Sequence, residues 1–240
     1  MKLAFISDIH GNSIALRAVL EDMKTKSIDH IYVLGDLCYR GPDPQGSLDA
    51  VMALDTEVIR GNADEWVVRG IQQGEVPESM LERMNAERDW TVSQLRPQAI
   101  EYLKELPVEL NLTAGNYSIH AFHATPESLF EIVLPELDDE QLAERLMSAV
   151  EADVYIYAHI HKPYIRYIHG KILINTGSVG LPFDGMAKAS YAIIEVDQHN
   201  IRTSIERVAY DIEAVIQHYE GVEYPNLEMM SRIVRRAKMN

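Results

Sequence analysis

Three times in its first 64 residues the chain runs through a short stretch of strand-forming residues and then breaks at glycine beside an acid or amide side chain. Leu3 to Ile6 leads into Asp8-Ile9-His10-Gly11-Asn12, Ile31 to Leu34 into Gly35-Asp36, and Glu57 to Arg60 into Gly61-Asn62-Ala63-Asp64. Short apolar runs bounded by turn residues read as buried strands. Between the first two, Ile14, Leu16, Val19, Leu20 and Met23 recur at helical spacing, with Asn12 or Ser13 as the N-cap and the helix reaching about Ser27. A second helix, about Gln45 to Leu54, follows the rigid loop Arg40-Gly41-Pro42-Asp43-Pro44. Strand, helix, strand, helix, strand calls for a parallel sheet, and open α/β sheets hold their ligands beyond the C-terminal ends of the strands.

Downstream, residues from about Glu65 to Glu105 lack strand signals, and their Glu, Arg, Gln and Met content predicts two or three helices that cover or border a site. Leu110 to Leu112 and Tyr117 to Phe122 form a hairpin about Ala114-Gly115-Asn116 that runs into His123-Ala124-Thr125-Pro126. An acidic helix from about Asp139 to Val150, capped by Asp138, precedes a buried strand, Val154 to Ala158, which ends in His159-Ile160-His161. Tyr164 to Ile168, Lys171 to Asn175, Ala189 to Val196 and Ile201 to Val208 alternate with turn signals, as in an antiparallel second sheet. Helices at about 211–219 and 227–237 end the chain, the last of them basic. No internal linker divides the sequence, so a single α/β domain over 1–240 is expected.

With 22 Lys and Arg against 37 Asp and Glu, the net charge of −15 argues against duplex nucleic acid as a partner. A small anionic substrate fits that balance if cations supply positive charge locally. Cys38 is the single cysteine, which excludes an internal disulfide and suits a reducing compartment. No apolar run approaches the roughly 18 residues of a membrane span. These features predict a cytoplasmic protein with no membrane partner, and they leave a homo-oligomer open.

Strand ends thus present Asp8, His10, Asp36, Asn62, His123, His159 and His161. Oxygen and imidazole donors without thiolate suit divalent Mn, Fe, Zn or Ni, and seven donors suit two ions better than one. Two ions held about 3.5 to 4 Å apart need a bridging carboxylate and can clamp a phosphoryl centre, with Asp36 the natural bridge.

The motif series Asp8-Ile9-His10-Gly11-Asn12, Gly35-Asp36 with Gly41-Pro42-Asp43-Pro44, Gly61-Asn62-Ala63-Asp64, His123, His159-Ile160-His161 and Asn175-Thr176-Gly177-Ser178-Val179-Gly180 resembles the calcineurin-like metallophosphoesterase superfamily. The likeness is to small bacterial and archaeal members of the YfcE phosphodiesterase and diadenosine-tetraphosphatase type, over residues 3 to about 197. It implies a four-layer αββα sandwich of two mixed β-sheets; the helices read from the sequence at about 65–105, as an insertion or cap, and at about 211–238 would be additions to it. It also implies that Asp8, His10 and His161 bind one divalent ion, that Asn62, His123 and His159 bind another, and that Asp36 bridges them. Asp36, Asn62 and His123 would be catalytic, with in-line attack on phosphorus by hydroxide and no phosphoenzyme. The expected substrate is a small phosphorylated molecule: a phosphodiester or phosphoanhydride such as a nucleotide or dinucleoside polyphosphate. A phosphomonoesterase and a non-catalytic phosphate sensor are the alternatives.

Two departures bear on that reading. Ala63 stands where many relatives carry a histidine that contacts substrate, so the leaving group should need little protonation, as with a nucleoside phosphate. Asp64 beside it is expected to orient a ligand, and Ala124 replaces a usual glycine. Asn12 and Arg40 are the candidates for contact with substrate phosphate. Gly177 and Ser178 are read as turn residues that can brace the metal loops, Cys38 as packing, and His30, His120, His169, His199 and His218 as lying outside the site.

Overall fold

The computed structural model describes residues 1–239. Its first sheet has the order β2, β1, β8, β9. Here β1 (Lys2–Ile6) runs parallel to β2 (His30–Val33) and antiparallel to β8 (Ala189–Val196), which pairs with β9 (Ile201–Val208). The second has the order β3, β4, β5, β7, β6, built from β3 (Glu109–Ala114), β4 (Tyr117–Phe122), β5 (Val154–Tyr157), β6 (Tyr164–Ile168) and β7 (Lys171–Asn175). Within it, β4, β5 and β7 are parallel.

Period-two alternation explains why the sheets stack. Leu3 and Phe5, Ile119 and Ala121, Val154 and Ile156, Ile172 and Ile174, and Ala192 and Ile194 form one buried cluster between the sheets. The alternate residues face outward onto helices. Ala4, Ile6, Tyr191 and Ile193 pack with α1 (Ser13–Lys24) and α2 (Pro44–Met52), while Phe122, Tyr155, Tyr157 and Leu173 pack with α6 (Asp139–Leu146). Asn12 caps α1 through Ala15 N, and Asp138 caps α6 through Gln141 N. The result is the helix, sheet, sheet, helix layering expected from the sequence.

Three helices fill the stretch between the third ligand loop and β3: α3 (Asn62–Arg69), α4 (Glu78–Ser93) and α5 (Pro97–Glu105). After β9 come α7 (Ile212–Gly221) and α8 (Leu227–Arg236). No helix among the described residues is long and apolar enough to cross a membrane.

Two expectations are corrected. The four strands from 164 to 208 do not make an antiparallel sheet of their own: the β6/β7 hairpin extends the second sheet beside β5, and the β8/β9 hairpin extends the first beside β1. Both hairpins present apolar residues on two faces, so each docks against a parallel core. The third strand, Glu57 to Arg60, shrinks to an isolated parallel bridge between Val33 and Val58. Arg60 N donates to Pro107 O at 2.7 Å instead, which draws the chain off the sheet just before Asn62 opens α3.

Candidate metal centre

Parallel pairing sends the C-terminal ends of β1 and β2 in one sheet, and of β4 and β5 in the other, to a common end of the sandwich. The loops there carry Asp8 and His10, Asp36, His123, and His159 with His161. Asp8, His10, Asp36, His159 and His161, five of the seven candidate ligands, have φ between 49° and 68°, and Arg40 has φ 70°. Non-glycine residues seldom adopt this left-handed region, and clusters of them mark sites where surrounding structure imposes the turn. Here the imposition is visible. Asp8 N, His10 N and Gly11 N donate to Gly35 O, Asp36 O and Leu37 O at 2.9–3.0 Å, so the first two loops lie side by side. Gly41 and Gly180 press on the backbone at His10 and Ile9 so closely that neither position has room for a Cβ.

Backbone carbonyls fix the histidine tautomers. His10 Nδ1 donates to Tyr39 O (2.9 Å), His123 Nδ1 to Leu34 O (2.7 Å) and His161 Nδ1 to Leu181 O, which turns each Nε2 inward. Donor atoms of Asp8, His10, Asp36 and His161 lie within 4.8 Å of one another, all buried. His10 Nε2 and His161 Nε2 face each other at 3.2 Å, a separation that two lone pairs tolerate only with a proton or a cation between them. On the other side of Asp36, Asn62 Oδ1 lies 3.0 Å from His123 Nε2 and 2.8 Å from His159 Nδ1. Asp36 faces both groups, with Oδ1 3.4 Å from His123 Nε2 and Oδ2 3.6 Å from His10 Nε2.

Electrostatics and orphaned atoms agree that a cation belongs here. Burial holds the imidazoles of His10 and His159 down to about 4, so both are neutral donors at pH 7. Burial would also lower His123, but attraction to Asp36 overrides it and raises the ring to about 9. That second proton sits where a cation would otherwise satisfy the carboxylate. Asp36 itself is held well below the usual carboxylate range, because its histidine neighbours outweigh burial. Asp8 Oδ1, 3.1 Å from His161 Nε2, and His159 Nε2 are buried without a hydrogen-bond partner. The donor set fits a divalent metal.

Around this cluster lies a supporting shell. Ser7 Oγ donates to Asp8 Oδ2 at 2.6 Å, and Ser178 Oγ donates to Asp8 O at 2.7 Å, so Ser178 braces the first loop. Asp64 accepts from the amides of Asp36, Leu37 and Gly61 at 2.8–2.9 Å and so holds the bridging loop to the start of α3. Burial and the charge of Asp36 push its carboxyl up to about 7 despite those amides.

Arg40 lines a cavity of about 300 Å³ over the cluster. Its Nε donates to Glu87 Oε2 at 3.1 Å, and its Nη2 is buried with no partner. Glu87, fully buried on α4, was not anticipated; in sequence it is one of several acids on a polar helix. Asn12 does not reach the cavity, contrary to expectation. Its Oδ1 caps α1 and its Nδ2 donates to Gly180 O at 3.0 Å, so both polar atoms are already engaged. Cys38 is buried in the helix-side core. His120 points to Glu109 (2.8 Å), with its ring tilted at 57° to that of Phe122, outside the cluster.

Residues 1–199 match the calcineurin-like phosphoesterase superfamily domain. This chain belongs to that superfamily. It is 31% identical over 208 residues to the phosphodiesterase YfcE of Escherichia coli, covering 82% of this chain and 89% of that protein. Among solved structures, a metallophosphoesterase from Sphaerobacter thermophilus superposes with a TM-score of 0.80 at 25% identity, over 99% of both chains. A hypothetical protein from Pyrococcus horikoshii reaches 0.86 at 22% identity, over 100% of this chain and 99% of that one, which speaks for the fold. Superfamily membership and the buried Asp and His cluster together point to divalent metal binding.

Proposed function

We propose that the protein hydrolyses a phosphodiester or phosphoanhydride of a small molecule, such as a nucleotide or dinucleoside polyphosphate, with two divalent ions held between its sheets. The observation that carries this reading is the position of Asp36, whose two oxygens face His10 and His123 at 3.6 and 3.4 Å. Asp8, His10 and His161 would hold one ion, and Asn62, His123 and His159 the other, with Asp36 shared. When bound, the ions supply hydroxide near neutral pH and neutralise charge on the phosphoryl oxygens. The likeness to a protein named a phosphodiesterase supports the reaction class.

The chain's own groups do the rest. Tyr39 O, Leu34 O and Leu181 O keep three imidazoles aimed at the centre, and Asp64 keeps the Asp36 loop from drifting. Arg40 Nη2 offers a buried N–H to a phosphoryl oxygen, and Glu87 keeps that guanidinium in place. Ala63 brings its amide to Asp36 Oδ1 at 2.8 Å, but its methyl provides no acid for a leaving group. Substrates that leave as phosphate or phenolate anions are therefore favoured over alkyl monoesters.

The test is turnover by protein reconstituted separately with Mn, Ni, Zn and Mg. Its panel holds an aryl phosphodiester, an aryl monoester, an alkyl monoester and a dinucleoside tetraphosphate. Metal-dependent hydrolysis that ranks the diester or the anhydride above the alkyl monoester supports the reading. An alkyl monoester cleaved as fast overturns the leaving-group argument, and tight metal binding without turnover assigns a phosphate sensor instead.

A further inference from the structure

The cavity above the cluster has a polar floor and carbon walls. His10, Asp36, Asn62, His159 and His161 make the floor, and Tyr39, Trp66, Met80, Met84, Phe130 and Phe183 make most of the wall. The polar tips of the wall residues are turned elsewhere. The Tyr39 hydroxyl donates to Met84 O at 2.9 Å and Trp66 Nε1 to Glu75 Oε2 at 3.2 Å. Glu75, which also lines the space, accepts from Arg69 and from Gln72 N. Phe130 lies 5.7 Å from Trp66, with the Arg69 guanidinium 5.5 Å from its ring, and Phe183 stacks on His161 at 4.2 Å and 10°. These rings are held from behind, so what they offer the cavity is apolar surface.

Ala63 sits where wall meets floor, buried and lining the same space. A longer side chain there would take up part of that space. Arg40 is the arginine that lines this space among the described residues, and its Nη2 is buried without a partner. An occupant with a phosphoryl group at the floor and a flat apolar ring against the wall matches all three features. A sugar or alkyl phosphate without a ring would set hydroxyls against that wall, where they lose hydration without gaining partners.

We propose that this cavity binds an aromatic ring borne by the same molecule as the phosphoryl group that the cluster holds, with Arg40 taking a phosphoryl oxygen and Ala63 leaving room for the ring. The proposal rests on the phosphoesterase reading and narrows its substrates to aryl or nucleobase-bearing phosphates. Phosphonates, which resist hydrolysis, test it without turnover. Zinc-loaded protein carrying Trp90→Phe, so that Trp66 is the remaining indole, is titrated by calorimetry and fluorescence with phenylphosphonate and methylphosphonate.

The ring should tighten binding by at least about tenfold and perturb the Trp66 emission, since burying one aromatic ring is worth that much. In Ala63→Leu, and independently in Met80→Phe, which narrows the outer wall, the ratio of the two affinities should fall towards one. A ratio near one in the parent protein, or a ratio untouched in both variants when both fold, overturns the proposal. Adenosine 5′-monophosphate against ribose 5-phosphate distinguishes the two sources of the ring: a larger ratio there than for the phosphonates assigns a nucleobase, a smaller one an aryl ester. Inorganic phosphate binding tests the underlying reading separately. If it is absent the phosphoesterase reading falls, whereas phosphate binding without ring discrimination removes the aromatic site alone.

Discussion

The floor of the cavity comes from loops at the ends of β1, β2 and β5 together with the first turn of α3, whereas most of its wall comes from α3, α4 and the irregular stretch around Phe130. The cluster is locked from several directions at once: His10, His123 and His161 each by a backbone carbonyl, the Asp36 loop by Asp64, the first loop by Ser7, Ser178, Gly41 and Gly180. Wall residues are held by packing and by a few side-chain contacts such as the Trp66–Glu75–Arg69 set. The proposed chemistry thus rests mainly on loops at the sheet ends, the proposed selectivity on α4 and the Phe130 stretch, and α3 serves both through Asn62, Asp64 and Trp66.

Substitutions on the two sides should accordingly differ in kind. Asp36→Asn should lower metal-dependent hydrolysis by more than about 100-fold and reduce the metal bound per chain, while Phe130→Ala should leave metal content as it was. Metal analysis alongside turnover reads both, and full metal content with turnover in Asp36→Asn would break the contrast. Asp64→Ala touches no metal donor, yet it removes the acceptor of three amides. It should weaken metal affinity by about 10- to 100-fold in a chelator competition, with Asp64→Asn recovering part of the loss.

The third expectation concerns pH. His123 holds its extra proton up to about 9 in the absence of cations, and a cation must displace it. Apparent metal affinity should rise by about tenfold per pH unit from 7 towards 9, level off above that, and release a proton measurable in weakly buffered solution. An affinity flat over that range would remove His123 from the ligand set. The smallest effect belongs to the seam between the two sides. Glu87→Gln should raise KM by roughly three- to tenfold with little change in kcat, because it loosens Arg40 without touching the floor. A loss confined to kcat would place Glu87 in the chemistry instead.

The same contrast explains what could be read in the sequence. Floor residues were legible because a short strand, a glycine and an acid or imidazole recur together, and the seven named side chains do converge. Asn12 misled because an asparagine after a ligand loop is equally a helix cap, and the fold uses it as one. Sheet membership of β6 to β9 was hidden, since β7 and β8, buried on both faces, carry no mark of which partner they will find, and β6 and β9 go with them as hairpin partners. Glu87 was hidden for a related reason. In α4 the apolar residues Met80, Leu81, Met84, Trp90 and Val92 spread around the helix, so no single face announces which acid lies inside. The aromatic wall depends on Trp66 and Phe130 meeting across 64 positions of chain, a pairing that only the folded topology creates.

The left-handed turns at Asp8, His10, Asp36, His159 and His161 tie two properties of the protein together. Each keeps a side chain where glycine would sit more comfortably, at a penalty of about 1 kcal/mol or more per position. Glycine at any of the five would ease the turn and at the same time remove a donor atom from the cluster. Stability and metal affinity are therefore set against each other at the same backbone positions.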